Sequence, residues 1–330
     1  MTVNDFEPYL DTFKDVEPFS GYVEKGFLID FLGQRTSAEF RKIWGVDPET
    51  TGDGIIETNS PDLPTGEDWF EYFNAVAAAR EARGSYVMMT LGACYGGQAV
   101  NAYLALQALN PMHAQLVAVD GMAENIEMTR KHFRYNGINP DDHWLIEAAM
   151  SGDNNPVLFP IGAPGSGAQN SVMTNSRANR MGILDLAQQS DSMERLAKNL
   201  LLRNSTDLSI DLAPGTDYDF NAEITFVSAV TLKDLLAPYA RVDYVEADMQ
   251  QSETVVFPPA MDALTQKVRR VHMGTHGEDV HNKMEKLFVD AGWDILFSYK
   301  PNQTVETPYC TMELNDGILT AVNPNLAYSD

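Results

Sequence analysis

The sequence predicts an α/β protein whose mostly parallel sheet is closed by an antiparallel C-terminal hairpin, with an N-terminal extension and an internal insertion. Three observations predict it. Tyr86 to Gly97, Y-V-M-M-T-L-G-A-C-Y-G-G, passes from a charge-free apolar run into three glycines, and a helical pattern follows from Asn101, the order found at the ligand-binding corner of a doubly wound sheet. Strand-like and helix-like segments alternate from there to about residue 150 and again from residue 224, which is the signature of parallel strands with crossover helices. Two strand patterns, Trp293 to Tyr299 and Ile318 to Val322, then follow with only polar text between them.

Residues 1–68 alternate short apolar groups with turn-rich text such as T-T-G-D-G-I-I-E-T-N-S-P-D-L-P-T-G. This is an extension, either a cap over the main domain or an interaction arm. The main domain is expected over 69–330, with an insertion at 151–222. Trp69 to Arg83 has strong helix propensity and alanines suited to close packing on a sheet. Gln115 to Asp120 is a second buried strand, Ala123 to Tyr135 a helix stopped by Asn136-Gly137, and His143 to Met150 a third strand.

From Ser151 to about Asn221 the periodicity weakens into turn formers, with a helix pattern at Asp191 to Arg203. So long a stretch reads as an inserted lid or subdomain that selects the substrate. Ile224 to Val230 is a short strand, and Thr231 with Asp234 forms a capping pair ahead of a helix limited by Pro238. Val242 to Asp248 and Val268 to Met273 are strands, and Val280, Met284, Leu287, Phe288 and Ala291 make one apolar helix face closed by Gly292.

Apolar residues make up 44% and charged residues 21% of the 330, a globular composition. The net charge of −24, from 47 acidic against 23 basic residues, argues against nucleic acid as a partner. The absence of a long apolar run argues against a membrane span, and M-T-V-N-D-F-E-P does not resemble a secretory leader, so cytoplasmic placement is expected. Two cysteines, Cys94 and Cys310, make neither a disulfide framework nor a zinc cluster. A homo-oligomer is compatible with the sequence.

The turn G-x-C-x-G-G lacks both the G-x-G-x-x-G spacing of a dinucleotide site and the Lys-Ser/Thr pair of a phosphate loop. A cofactor without pyrophosphate suits it, and S-adenosylmethionine answers that description. Asp120, at the end of the second strand and about two dozen residues past the glycines, is placed to accept hydrogen bonds from an adenosyl ribose.

These segments, with V-T-L-K-D-L-L and V-D-Y-V-E-A-D-M-Q-Q-S-E, resemble the FkbM family of S-adenosylmethionine-dependent methyltransferases over roughly residues 85–150 and 225–298. The resemblance implies a Rossmann-like class I methyltransferase sheet and oxygen methylation of a saccharide or small natural-product acceptor. By position the family's cofactor turn falls on Gly92, Ala93, Cys94, Tyr95 and Gly96, and its ribose acid on Asp120; Gly121 and Ala148 complete the expected cofactor contacts. The family's Glu-Pro-Asn-Pro after the second strand is Asp-Gly-Met-Ala here. In its later signature, Asp243, Asp248 and Glu253 stand where acids are usual, whereas Glu246 replaces a lysine and Gln250-Gln251 replace Glu-Gly.

A hydroxyl is a weak nucleophile near neutral pH, so a base is expected. Asp248, at a strand end, and His276, bracketed by Gly274 and Gly277, are the first candidates, with His272 as a third. His281 sits inside a helix pattern and reads as structural. The Asp, Glu and His residues lack a metal-ligand spacing, so no metal is expected.

Overall fold

The computed structural model describes residues 7–165 and 223–326. The helix pattern at Asp191 to Arg203 and most of the insertion lie outside the described residues. In the extension, β1 (Ser20–Val23) pairs antiparallel with β4 (Gly54–Glu57), and β2 (Phe27–Ile29) pairs with β3 (Arg35–Ser37). These short ladders bury little on their own. They are fixed to the main domain by edge-on aromatic contacts of Phe13 with Trp69 and of Phe31 with Tyr72, and by reciprocal bonds between the Arg35 backbone and the Asn136 amide.

The main domain begins with helix α1 (Glu67–Glu81), whose Glu67 and Asp68 complement the positive end of the helix dipole. It continues through β5 (Tyr86–Leu91), α2 (Gly97–Leu109), β6 (Ala114–Asp120), α3 (Ala123–Tyr135) and β7 (Trp144–Glu147). After the insertion come β12 (Tyr244–Ala247), β13 (Arg270–Thr275), the helix Glu278–Asp290, β14 (Asp294–Tyr299) and β17 (Gly317–Val322). The sheet order is β7-β6-β5-β12-β13-β17-β14. Strands β5, β6, β7, β12 and β13 are mutually parallel, and β17 runs antiparallel between β13 and β14. This is the expected Rossmann-like class I methyltransferase sheet, with its order reversing between β5 and β12.

Every residue of β5 is buried. Successive side chains leave a strand on opposite faces, so Met88 and Leu116 pack under α1 and α2 while Met89 and Val117 face the second core with Phe257 and Phe288. The sheet therefore separates two apolar layers. Its parallel strands all end on one edge.

Several boundaries differ from expectation. α2 begins at Gly97 rather than Asn101, because Gly96 in the left-handed region (φ 77°) turns the chain into the helix four residues earlier. The third strand breaks after Glu147: β8 (Ala149–Met150) leaves the sheet to pair with β11 (Ala229–Val230). At the described ends of the insertion, β9 (Val157–Ile161) pairs antiparallel with β10 (Glu223–Val227). Thr231 caps its helix as expected, its Oγ1 accepting from the Asp234 amide at 3.1 Å. The polar stretch 300–317 forms a further hairpin, β15 (Gln303–Glu306) with β16 (Thr311–Leu314).

Candidate functional site

Because β5, β6 and β12 are parallel, their C-terminal ends bring Gly92, Asp120 and Asp248 to the same edge, beside the reversal in strand order. Gly92 has φ 86°, and a Cβ there would stand 1.9 Å from the Asp248 carbonyl oxygen. Only glycine lets the two strand ends approach so closely. The Gly92 and Ala93 amides both donate to the Val119 carbonyl. Cys94 then takes a positive φ of 50° without being glycine.

Asp120 organises the turn from the neighbouring strand. Its Oδ2 accepts from the Cys94 amide at 2.8 Å, and its Oδ1 accepts from the Met122 amide at 2.8 Å and the Asn125 amide group at 3.1 Å. It is 6% exposed, and burial raises its carboxyl to about 6 against these three donors. Asp120 lines a small cavity, about 60 Å³, with Gly121, Ala148, Met150 and Phe159. The Phe159 ring lies over Gly121 so closely that a Cβ on Gly121 would meet it at 2.8 Å. A slot results with apolar walls from Val119, Ala148, Met150 and Phe159 and two carboxyl groups, Asp120 and Asp248, at its border.

A second, larger and more open cavity, about 290 Å³, shares Gly92, Cys94 and Asp248 with the first. Ala93, Tyr95 and Gly97 form part of its floor, and Gln34, Arg41 and Trp44 of the extension form part of its wall. Gln34 donates to the Gly97 carbonyl at 2.7 Å, and Arg41 to the Tyr95 hydroxyl at 3.0 Å. Gly96 lines neither cavity; it stands against Thr129, where a Cβ would clash at 2.6 Å.

Asp248 and His276, named separately as candidate bases, lie side by side at the ligand edge of the sheet. His276 Nε2 lies 3.5 Å from Asp248 Oδ1, 3.4 Å from Asp316 Oδ1 and 2.8 Å from the Gln250 amide. Burial opposes a charge on His276, yet Asp248, Asp316 and Glu253 outweigh it and raise the imidazole to about 10. The three carboxylates thus favour the protonated form of His276. Surrounding protein raises the Asp248 carboxyl although its side chain is 47% exposed, with His276 pulling the other way. Asp248 borders both cavities.

His272 lies elsewhere. It is 2% exposed in the sheet interior, its Nδ1 3.0 Å from Thr320 Oγ1 and 3.1 Å from Asn74 Nδ2, and burial lowers it to about 3. It lines neither cavity and serves packing. His281 bridges Thr275 and Ser298 and is likewise structural.

Four participants escaped the sequence reading. Phe159 lies in the insertion, and Glu71 and Asn101 sit on helices that read as packing elements; each joins the site only through tertiary placement. Glu246, noted only as a departure from the family, is 4% exposed, accepts from Thr90 Oγ1 at 2.5 Å and faces the second cavity. Burial keeps its carboxyl well above the usual range. A charged residue inside an otherwise buried strand was the available signal. Next to it, Gln250 and Gln251 adopt φ of 49° and 79°, a pair of left-handed non-glycine residues of the kind that clusters at functional sites. Among the described residues no group of three or more His, Cys, Asp or Glu is arranged to hold a metal, and no helix is long and apolar enough to cross a membrane.

No family model matches the chain. It is 23% identical over 287 residues, 85% of this chain and 86% of the relative, to a Jannaschia sp. (strain CCS1) protein named "Putative methyltransferase". Among solved structures it overlays the O-methyltransferase TomG from Streptomyces achromogenes, crystallised with SAM, at 13% identity and a TM-score of 0.36, covering 87% of this chain and 86% of that one. An O-methyltransferase from Bacillus cereus in complex with SAH overlays at 7% identity and a TM-score of 0.35, covering 80% and 84%. The precorrin-6y C5,15-methyltransferase of Geobacter metallireducens gives 11% identity and 0.36, covering 76% and 86%. The fold assignment stands on the strand order and directions, independently of these overlays.

Proposed function

We propose that the chain transfers a methyl group from S-adenosylmethionine to a hydroxyl oxygen of a small-molecule or saccharide acceptor. The observation that carries this reading is the slot beside Asp120, which shares Gly92, Cys94 and Asp248 with a second cavity. The bound cofactor would supply an electrophilic methyl carbon on its sulfonium.

The residues fit such a cofactor. Gly121, Ala148, Met150 and Phe159 offer an apolar slot for a purine, and Asp120 Oδ2, with one described donor, keeps a lone pair for a ribose hydroxyl. Arg41 is the one basic residue in the described lining of either cavity, which offers a pyrophosphate no cradle. Asp248 would take the proton from the acceptor hydroxyl, its raised pKa making it a better base than an ordinary carboxylate. His276 holds it in place from behind. The extension residues Gln34, Arg41 and Trp44 narrow the approach to the acceptor side.

The test is calorimetric titration of the purified protein with S-adenosylmethionine, S-adenosylhomocysteine and NAD, followed by a mass-shift assay across hydroxylated acceptors. Saturable binding of the two sulfur compounds but not NAD, with a one-methyl mass gain on an acceptor, is expected. Folded protein that binds neither sulfur compound would overturn the reading.

A further inference from the structure

The wall of the second cavity has a chemistry that methyl transfer alone does not call for. Four carboxyl side chains line it: Asp68 and Glu71 from α1, Glu246 from β12, and Asp248 just beyond β12. Arg41, on the extension, is the one basic residue in the described lining. Carboxyls alone would be an ordinary acidic patch. A second observation distinguishes them: Asn101 on α2 lines the same cavity, is 6% exposed, and its Oδ1 has no hydrogen-bond partner.

A buried amide oxygen without a donor is costly, and such groups in folded proteins are normally satisfied. Gln98, one helical turn before Asn101 and on the same face, donates its Nε2 to Glu71 Oε2 at 2.5 Å. That bond ties Glu71 to the α2 face carrying Asn101. The helix-borne wall thus presents one acceptor without a donor, Asn101 Oδ1, beside Glu71, whose Oε2 takes one bond from Gln98, while the sheet-borne Glu246 is engaged with Thr90. A neutral hydroxyl would leave these buried carboxyls protonated; a ligand bearing several N–H donors and a positive charge would supply the missing donor to Asn101 and favour the ionised form of the carboxyl beside it.

We propose that the second cavity binds its acceptor through a primary ammonium group held by Glu71 and Asn101, so that the methylated hydroxyl belongs to an aminated polyol such as an amino sugar. This rests on the methyltransferase reading and names the substrate class of the same site. Burial and the neighbouring Asp68 raise the Glu71 carboxyl to about 8 in the absence of a ligand, and an ammonium beside it favours its ionised form.

The test uses the full chain near neutral pH, with glucosamine, N-acetylglucosamine and glucose as probes, titrated with and without saturating S-adenosylhomocysteine. Glucosamine is expected to bind about tenfold or more tightly than either neutral sugar, as a charge-assisted hydrogen bond allows. Glu71→Gln and Asn101→Leu should each reduce that preference to within about threefold, with melting temperature measured alongside to show that the variants are folded. Equal binding of the three sugars, no binding of glucosamine, or a preference that survives both folded variants would overturn the proposal. Failure of S-adenosylhomocysteine to bind would instead overturn the methyltransferase reading, and the titrations without it report on the cavity separately.

Discussion

The Cys94 amide donates to Asp120 Oδ2 at 2.8 Å, so the acid at the end of one strand fixes the glycine turn at the end of the next. One carboxylate shapes the turn and borders the slot it encloses. Asp120→Asn keeps an acceptor for Cys94 but removes the charge, and S-adenosylhomocysteine affinity should fall about tenfold. Asp120→Ala leaves the Cys94 and Met122 amides and Asn125 without their acceptor and should also cost about 1–3 kcal/mol of stability. Calorimetry with thermal melts checks both. Unchanged affinity in the alanine variant would remove Asp120 from the site.

Asp248→Asn should lower kcat by about 10²-fold or more, while cofactor affinity stays within about threefold. Single-turnover kinetics beside calorimetry separates the two. Full turnover in this variant would mean that another group takes the proton.

His276→Gln tests the imidazolium. Removing a cation 3.5 Å from Asp248 Oδ1 raises that carboxyl further, so the acid limb of the pH–rate profile should move to higher pH while activity persists above it. A free-base role for His276 predicts loss of activity at every pH instead.

Gly92→Ala should destabilise the protein severely. The left-handed backbone alone costs about 1–2 kcal/mol for an L residue, and the added Cβ would stand 1.9 Å from the Asp248 carbonyl. A melt within experimental error of the parent would show that the two strand ends do not meet as described.

Thermal stability should fall as pH rises from about 6.5 to about 8. Glu71, raised to about 8, and Glu253, raised to about 7, hold protons in the native state that the unfolded chain has released. Stabilisation from such groups is complete below their unfolded values and is lost as pH passes through the folded ones. His276, raised to about 10, acts in the same direction. His132 and His272, lowered to about 4 and about 3, oppose this only below their ordinary value of 6.5. Melts at fixed ionic strength across that window would contradict the assignment by staying level or rising.

The parallel strands were legible because burial on both faces leaves nearly continuous apolar text, as in Y-V-M-M-T-L. β15 and β16 were hidden because alternate residues face solvent and the run reads as polar. Asp120 and Asp248 were legible as acids at strand ends. The fate of the histidines was not. His272 follows the two-residue alternation of β13 onto the face beneath α1, where Asn74 and Thr320 receive it, and His276 acquires its charge from Asp248 and Asp316, which are far from it in sequence and from each other. Glu71 and Asn101 carry no local signal because each sits in a helix whose other positions are ordinary packing residues.

The position of β17 bears on how the chain is made. Among the described residues β14 reaches the sheet only by pairing with β17, so the later-synthesised strand is the wedge that brings the earlier one home. On a ribosome, β13 would wait with an unpaired edge, and Phe297 and Tyr299 of β14 would stay uncovered, until residues 317–322 emerge. A nonsense change anywhere in the hairpin before β17 would thus remove more than a tail. It would leave the half-built domain with an open sheet edge, a substrate for chaperones or proteases rather than a shortened enzyme.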